Sequence, residues 1–203
     1  MKCLVLYHSR FGQTEKIATR IAEDLKKLDV SVVIHDLSFL DLSLGVKQYD
    51  MIVVGAPLYR GQHSRLLGDF IKLHESDMKQ KLTAFFSVSM AAAGDETQRA
   101  EAKKYLEEFL VKAHWEPDFK ATFAGCLAYT RYGWITRMIM KWISKKQGGS
   151  TDTSKDHEYT DWKKVDAWSD TLAEAVSHVR SAAEDDDEHS WKDKVKRQQI
   201  FVG

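Results

Sequence analysis

The stretch Val5-Leu6-Tyr7-His8-Ser9-Arg10-Phe11-Gly12-Gln13-Thr14 joins an apolar run to the start of a helical pattern. The continuous apolar run from Cys3 to Tyr7 is typical of a strand that is buried on both faces. Apolar residues then recur at helical spacing, at Ile17, Ala18, Ile21, Ala22, Leu25 and Leu28. The stretch therefore predicts a strand, a tight loop and a helix in immediate succession.

The same alternation continues along the chain. Further strands are predicted at residues 30–34, 51–56, 84–88 and 122–127, and further helices at residues 66–71, 102–113 and 165–179. Alternating strands and helices form βαβ units, in which helices cover both faces of a parallel sheet. Right-handed crossovers leave few topologies, and five strands fit the doubly wound order 2-1-3-4-5. We therefore predict an α/β fold that binds its ligand past the carboxyl ends of strands 1 and 3.

The composition excludes several classes of protein. The 203 residues carry 30 Lys and Arg against 30 Asp and Glu, and this balance argues against a globally basic nucleic-acid-binding protein. Two cysteines, Cys3 and Cys126, are too few for a disulfide framework, and the histidines lack metal-ligand spacing. Because the histidines lack this spacing, we expect no metal. No apolar run approaches the roughly 18 residues of a spanning helix, so we expect a cytosolic protein.

The loop from Ser9 to Thr14 has the chemistry of an anion cradle. It combines two hydroxyls, a permissive Gly12 and the free amides of a helix start, and Arg10 adds positive charge. It lacks the Gly-x-Gly-x-x-Gly pattern of dinucleotide sites and the lysine of a Walker motif. The loop therefore predicts a site for a single terminal phosphate; the alternative is that Ser9 and Thr14 only cap the helix.

Residues 5–14 resemble the flavodoxin pattern, in which an apolar strand with an aromatic end leads into Ser/Thr-x-x-Gly-x-Thr. The resemblance implies a flavodoxin-like fold with FMN as cofactor, its phosphate held by Ser9, Arg10, Phe11, Gly12, Gln13 and Thr14. It also implies two loops beside the flavin ring, with Gly125 nearby: Pro57, Leu58, Tyr59, Arg60 and Gly61, then Ser87, Val88, Ser89, Met90 and Ala91. Tyr59 is either a ring-stacking residue or a core aromatic at a strand end.

Residues 114–118, 129–134, 148–155 and 159–162 resemble the family of bacterial quinone-dependent protoporphyrinogen IX dehydrogenases, and the similarity extends from Met1 to about Val179. The resemblance implies oxidation of protoporphyrinogen IX by FMN. It also implies electron transfer to a membrane quinone, menaquinone or ubiquinone, by a peripheral protein on the cytoplasmic face of the inner membrane. The alternatives are an FMN-dependent NAD(P)H:quinone reductase and a flavodoxin electron carrier, although carriers are usually strongly acidic.

A long insertion, at about residues 129–158, precedes the last helix. Within it, residues 131–146 predict a basic amphipathic helix with an apolar face at Ile135, Met138, Ile139, Trp142 and Ile143. Such a helix can lie in the headgroup region of a membrane. We predict contact with an anionic membrane surface through Trp134, Arg137, Met138, Lys141, Trp142 and Lys145; the alternatives are packing on the sheet and a homodimer contact.

The substrate residues are less defined by the sequence. Arg60 and Arg131 could pair with the propionates of a porphyrinogen, or could be ordinary solvated arginines. His63 could titrate near neutrality at the site, or could be a surface residue at a helix start; no catalytic base is identified. We place a single flavodoxin-like FMN-binding domain at residues 1–180, followed by a charged tail at residues 181–203 that is predicted to be disordered.

Overall fold

The computed structural model describes residues 1–37, 44–146, 149–184 and 201–202. The strands are β1 (Lys2–Tyr7), β2 (Ser31–Asp36), β3 (Met51–Pro57), β4 (Leu82–Ser89), β5 (Phe119–Ala124), β6 (Cys126–Leu127), β7 (His157–Glu158) and β8 (Phe201–Val202). The helices are α1 (Gln13–Lys26), α2 (Arg65–Leu73), α3 (Glu75–Met78), α4 (Glu96–Ala113), α5 (Trp134–Lys146) and α6 (Trp162–Glu184). None of the helices within these ranges has the length and apolarity needed to cross a membrane.

The central sheet is parallel and has the order β2-β1-β3-β4-β5, so the predicted doubly wound fold is confirmed. Strand β1 lies between its two neighbours, with Cys3 opposite Val32 on one side and Met51 on the other. The two-residue strand β8 adds a sixth parallel strand at the open edge of β5, within the segment predicted as a tail. Residues 185–200 and 203 of that segment lie outside the described residues.

Two apolar cores form on opposite faces of the sheet. One contains Val5 and Ile17 together with Trp168 of α6, and the other contains Leu6, Phe70 of α2 and the inner residues of α4. Alternate residues of β1 enter opposite cores because successive strand side chains point to opposite faces. Coverage by helices on both sides explains why the inner strands are continuous apolar runs.

A glycine in β3 allows a close contact in the core. Gly55 of β3 pairs in register with Phe86 of β4, and a Cβ atom on Gly55 would lie 2.1 Å from the Cζ atom of the Phe86 ring. The ring is fully buried and packs against Trp168 and Phe123. Close packing of this kind leaves no space for a larger residue at position 55.

The fifth strand ends earlier than the sequence predicts. β5 covers Phe119–Ala124 instead of residues 122–127, and Cys126–Leu127 form β6, which pairs antiparallel with β7 outside the main sheet. The chain leaves the sheet at Gly125, whose N–H donates to the Ser89 carbonyl and whose carbonyl accepts from Tyr159 N–H, both at 3.0 Å. Helix α6 also continues to Glu184, four residues beyond the predicted domain boundary.

Candidate functional site

The loop after β1 has the geometry of an anion cradle. Gly12 has a φ of 88°, in the left-handed region, and its N–H donates to the Ser9 hydroxyl at 3.0 Å. Gln13 and Thr14 are buried in the first turn of α1, and no side chain caps the helix at Gly12. The first amides of the helix have no intrahelical acceptor and remain available to an anion.

The loop after β3 lies beside this cradle. Tyr59 and Gln62 exchange backbone hydrogen bonds of 2.9 and 3.0 Å around Arg60 and Gly61, whose φ angles of 51° and 75° form a tight two-residue turn. Tyr59 is 37% exposed, and its ring meets the Phe11 ring edge-on at a centroid distance of 5.9 Å. Tyr59 therefore lies at the surface next to the cradle and is not the core aromatic that the sequence allowed as an alternative.

The end of β4 and the loop that follows it lie next to the loop after β3. Ser87, Val88 and Ser89 are buried, and the Val88 carbonyl accepts from Leu58 N–H at 2.8 Å. The Ser89 hydroxyl accepts from Ala92 N–H at 3.1 Å and starts a 3-10 turn. Of the residues predicted in this loop, Met90 and Ala91 are the ones with partly exposed side chains.

His63 is packed inside this framework. Its Nε2 lies 2.8 Å from the Ser87 hydroxyl, and its ring lies between Phe85 and Phe109, at centroid distances of 5.6 and 4.9 Å. The buried Nδ1 has no hydrogen-bond partner among the described residues. Burial lowers the pKa of His63 to about 4, so the imidazole is neutral at pH 7. The ring therefore fits neither alternative drawn from the sequence, a group that titrates near neutrality or a surface residue at a helix start, because the sequence did not show how far it is buried.

The insertion packs directly on the cradle. Its small core contains Leu127, Ala128, Tyr129 and Tyr132, and it includes Phe11 of the loop after β1 and Met90 of the loop after β4. The rings of Tyr132 and Phe11 meet edge-on at 4.8 Å. The sequence singled out Phe11 and Met90 but gave no sign that Tyr132 contacts Phe11.

A second set of contacts ties the end of the insertion to α1. The Thr160 hydroxyl donates to the Ala124 carbonyl at 2.7 Å and accepts from the Gln13 side chain at 2.8 Å. Lys16 and Glu158 form an ion pair of 3.0 Å close by. Thr160 thus orients Gln13 of the cradle, a role for which the sequence carries no local signal.

The three arginines considered from the sequence occupy different places. The Arg10 guanidinium lies 5.5 Å from the centre of the Phe11 ring, and Arg60 is exposed in the turn after Tyr59. Arg131 Nη1 donates to the Phe11 carbonyl at 2.8 Å and lies 2.5 Å from the point where a Cβ atom on Gly12 would be. The structure therefore places Arg131 over the cradle, whereas the sequence left it open between a partner of a substrate propionate and a solvated arginine.

Helix α5 presents its apolar side outward. Five large apolar side chains of this helix are 48–77% exposed: Trp134, Ile135, Met138, Ile139 and Trp142. The opposite side faces the protein, where Arg137 donates to the carbonyls of Tyr129 and Tyr132 and Ser144 donates to the Ser150 carbonyl. The described side chains thus do not pack on the sheet, and Arg137 differs from the exposed Lys141 and Lys145 in pointing inward.

Comparison with known proteins identifies the family. The model of the Flavodoxin domain family matches residues 4–154. The chain is 35% identical over 165 residues to Protoporphyrinogen IX dehydrogenase [quinone] of Escherichia coli strain K12, covering 81% of this chain and 91% of that protein. It is 33% identical over 168 residues to the protein of the same name from Leishmania major, covering 81% and 71%. Oxidised Flavodoxin 1 from Bacillus cereus superposes with a TM-score of 0.44 and 20% identity over 62% of this chain and 85% of that one.

The family match covers more than half of the chain, and the two named relatives cover most of it. A flavodoxin domain implies a flavin cofactor, which agrees with the cradle described above. The chain belongs to the flavodoxin domain family, and within it to the relatives of protoporphyrinogen IX dehydrogenase [quinone].

Proposed function

We propose that this protein uses FMN to oxidise protoporphyrinogen IX to protoporphyrin IX and passes the electrons to a membrane quinone. The observation that carries this proposal is the 35% identity to the E. coli enzyme over 91% of its length. A fold alone would not identify the reaction, because one fold hosts many activities. The family model also spans residues 4–154, which include most of the insertion as well as the sheet.

The residues of the cradle fit the phosphate of FMN. Gly12 lets the backbone approach closely at a φ of 88°, the Ser9 hydroxyl shapes the turn, and the start of α1 offers its amides. Phe11 and Tyr59 supply an aromatic wall suited to an apolar ring system. The loop has one anion site and no second glycine-rich turn, which favours a mononucleotide over a dinucleotide.

Bound flavin would supply the hydride acceptance and the electron transfer, and the protein would position the reactants. His63 is a weak base for the substrate proton, because burial lowers its pKa to about 4. The contact of its Nε2 with the Ser87 hydroxyl instead ties the segment after β3 to the end of β4. Arg60, exposed in the turn next to Tyr59, is the arginine we propose for a propionate of the substrate.

The reaction can be tested by anaerobic mixing of the flavin-loaded protein with protoporphyrinogen IX and, separately, with NADPH. We expect protoporphyrinogen IX to bleach the oxidised flavin absorbance and menaquinone or ubiquinone to restore it. Bleaching by NADPH alone would contradict the proposal and identify an NAD(P)H:quinone reductase. Absence of bleaching by both would identify an electron carrier.

The proposed contact of Arg60 with a substrate propionate can be tested by substitution. Arg60→Gln should raise the KM for protoporphyrinogen IX by about tenfold, because it removes one exposed charge-assisted contact. A substrate with esterified propionates should bind the wild type and Arg60→Gln equally. Equal KM values of the two proteins for the free acid would contradict the role of Arg60.

We further propose that α5 lies on an anionic membrane surface. The exposed apolar side chains cover one whole side of the helix, and Lys141 and Lys145 lie at its edge, separated by one turn. The inward side carries Arg137 and Ser144, so the helix is oriented with its apolar side away from the protein. A 13-residue helix of this kind, about 20 Å long, can sit in the headgroup region. Both reactants, an apolar porphyrinogen and a membrane quinone, are reached from that surface.

Vesicle co-sedimentation tests the membrane contact. Each lysine near an anionic surface contributes about 1 kcal/mol, so Lys141→Gln with Lys145→Gln should weaken binding to phosphatidylglycerol-containing vesicles by about thirtyfold. Lys112→Gln on α4, which also changes an exposed lysine, is the matched control and should bind like the wild type. Unchanged binding of the double variant would contradict the proposal. If the protein without vesicles sediments as a dimer, and Trp134→Ser converts it to a monomer, then a second copy of the chain covers the apolar side of α5 instead.

A further inference from the structure

We propose that Arg131, which the insertion carries, is a ligand of the FMN phosphate. This inference rests on the proposed binding of FMN and extends it to a residue outside the cradle loop. The guanidinium lies over Gly12, where its Nη1 is 2.5 Å from the ideal Cβ position, and it donates to the Phe11 carbonyl at 2.8 Å. The cradle is thus built from two segments that are 120 residues apart in the chain.

The electrostatics of this position call for an anion. The N-terminal end of α1 carries a partial positive charge, and Arg131 adds a full positive charge beside it. Within the described part of the chain, no carboxylate lies at ion-pair distance from Arg131. Placing a cation at this end of a helix is unfavourable on its own, and a phosphate dianion would turn both contributions into attractions.

The backbone of the insertion fixes Arg131 at this place. Asp156 accepts hydrogen bonds of 2.8 Å from both the N–H and the hydroxyl of Thr130, and Arg131 N–H donates to the Ala128 carbonyl at 3.0 Å. On the other side, the Tyr132 ring packs on Phe11. Only one of the five guanidinium N–H groups is used by the Phe11 carbonyl, so the remaining donors can reach a phosphate oxygen.

The test compares two flavins that differ only in the phosphate. The full-length apoprotein is titrated with FMN and with riboflavin, and the quenching of flavin fluorescence gives the two Kd values. For Arg131→Gln we expect about tenfold weaker FMN binding and unchanged riboflavin binding, because an exposed charge-assisted hydrogen bond is lost. Arg131→Lys should retain part of the FMN preference. Lys155→Gln removes an exposed charge from the same insertion, at a residue whose ion-pair partner is Asp152, and should match the wild type.

The outcomes separate this inference from the proposal on which it rests. If the wild type binds neither FMN nor riboflavin, both the proposed FMN binding and the role of Arg131 are refuted. A wild type that prefers FMN, together with an Arg131→Gln variant that keeps the same FMN Kd, would overturn only the role of Arg131. Equal losses of FMN and riboflavin affinity in Arg131→Gln would also overturn it, since they would assign the arginine a structural role.

Discussion

Replacing His63 with glutamine should remove one source of acid sensitivity from the protein. Between its ordinary pKa of 6.5 and its value of about 4 in the fold, the unfolded chain holds a proton on His63 that the folded chain excludes. The stability that the neutral ring contributes is therefore complete above pH 6.5 and is lost as the pH falls towards 4. Glutamine does not titrate, and its amide can still reach the Ser87 hydroxyl.

The magnitude follows from the two pKa values. Between pH 7 and pH 5, the wild type should lose about 2 kcal/mol of unfolding free energy through this one ring. The carboxylates titrate in both proteins, so the difference between wild type and His63→Gln isolates the imidazole. The His63→Gln protein itself should be less stable at pH 7, because the amide does not fill the space between Phe85 and Phe109.

Urea unfolding at pH 7, 6 and 5, followed by circular dichroism, measures this difference. His178→Gln on α6 changes an exposed histidine and should follow the wild type at every pH. Parallel pH dependence of wild type and His63→Gln would refute the reasoning, since it would mean that the ring is protonated equally in the folded and unfolded states.

Three further changes have expected magnitudes. Gly55→Ala should destabilise the fold by about 1–3 kcal/mol in urea unfolding, because its methyl group would overlap the Phe86 ring. Gly12→Ala should cost about 1 kcal/mol through its φ of 88° and should also weaken FMN binding in the fluorescence titration. Asp95→Ala should cost about 1 kcal/mol in thermal or urea unfolding, because Asp95 and Gln98 form a capping box at the start of α4.

Control variants test the reasons given for these three losses of stability. Gly133→Ala and Gly45→Ala introduce a methyl group that meets no atom of the described residues within 4 Å, so both proteins should unfold like the wild type. A Gly55→Ala or Gly12→Ala protein as stable as these controls would contradict the packing and backbone arguments. Asp95→Asn, which keeps an acceptor, should retain most of the stability that Asp95→Ala loses; equal losses would contradict the capping role.

The fold could be predicted because its signals are local. The apolar run before His8 and the helical spacing after Gln13 each lie within one element, and both were confirmed. The end of β5 was predicted wrongly because Cys126 and Leu127 continue the apolar run. Their pairing is decided by His157 and Glu158, which lie 30 residues further along the chain.

The part of the site that lies within one short segment could also be predicted. Ser9, Gly12 and Thr14 are close in sequence, so their spacing indicated a cradle directly. The contacts of Arg131 with Phe11 and of Thr160 with Gln13 join segments 120 and 147 residues apart. Such contacts depend on how the insertion docks, and no short pattern encodes them. The orientation of α5 was likewise hidden, since an amphipathic pattern does not say which side faces the protein.

The shared position of Phe11 has a consequence for protein engineering. One aromatic side chain belongs both to the loop after β1 and to the core of the insertion. A shortened chain that joins β5 straight to α6 would expose Phe11 and Met90 together, and a transplant of the insertion onto a minimal host would arrive without them. The loops of the sheet and the insertion should therefore be kept together in any engineered chain, because separating them would leave apolar side chains of both parts without packing partners.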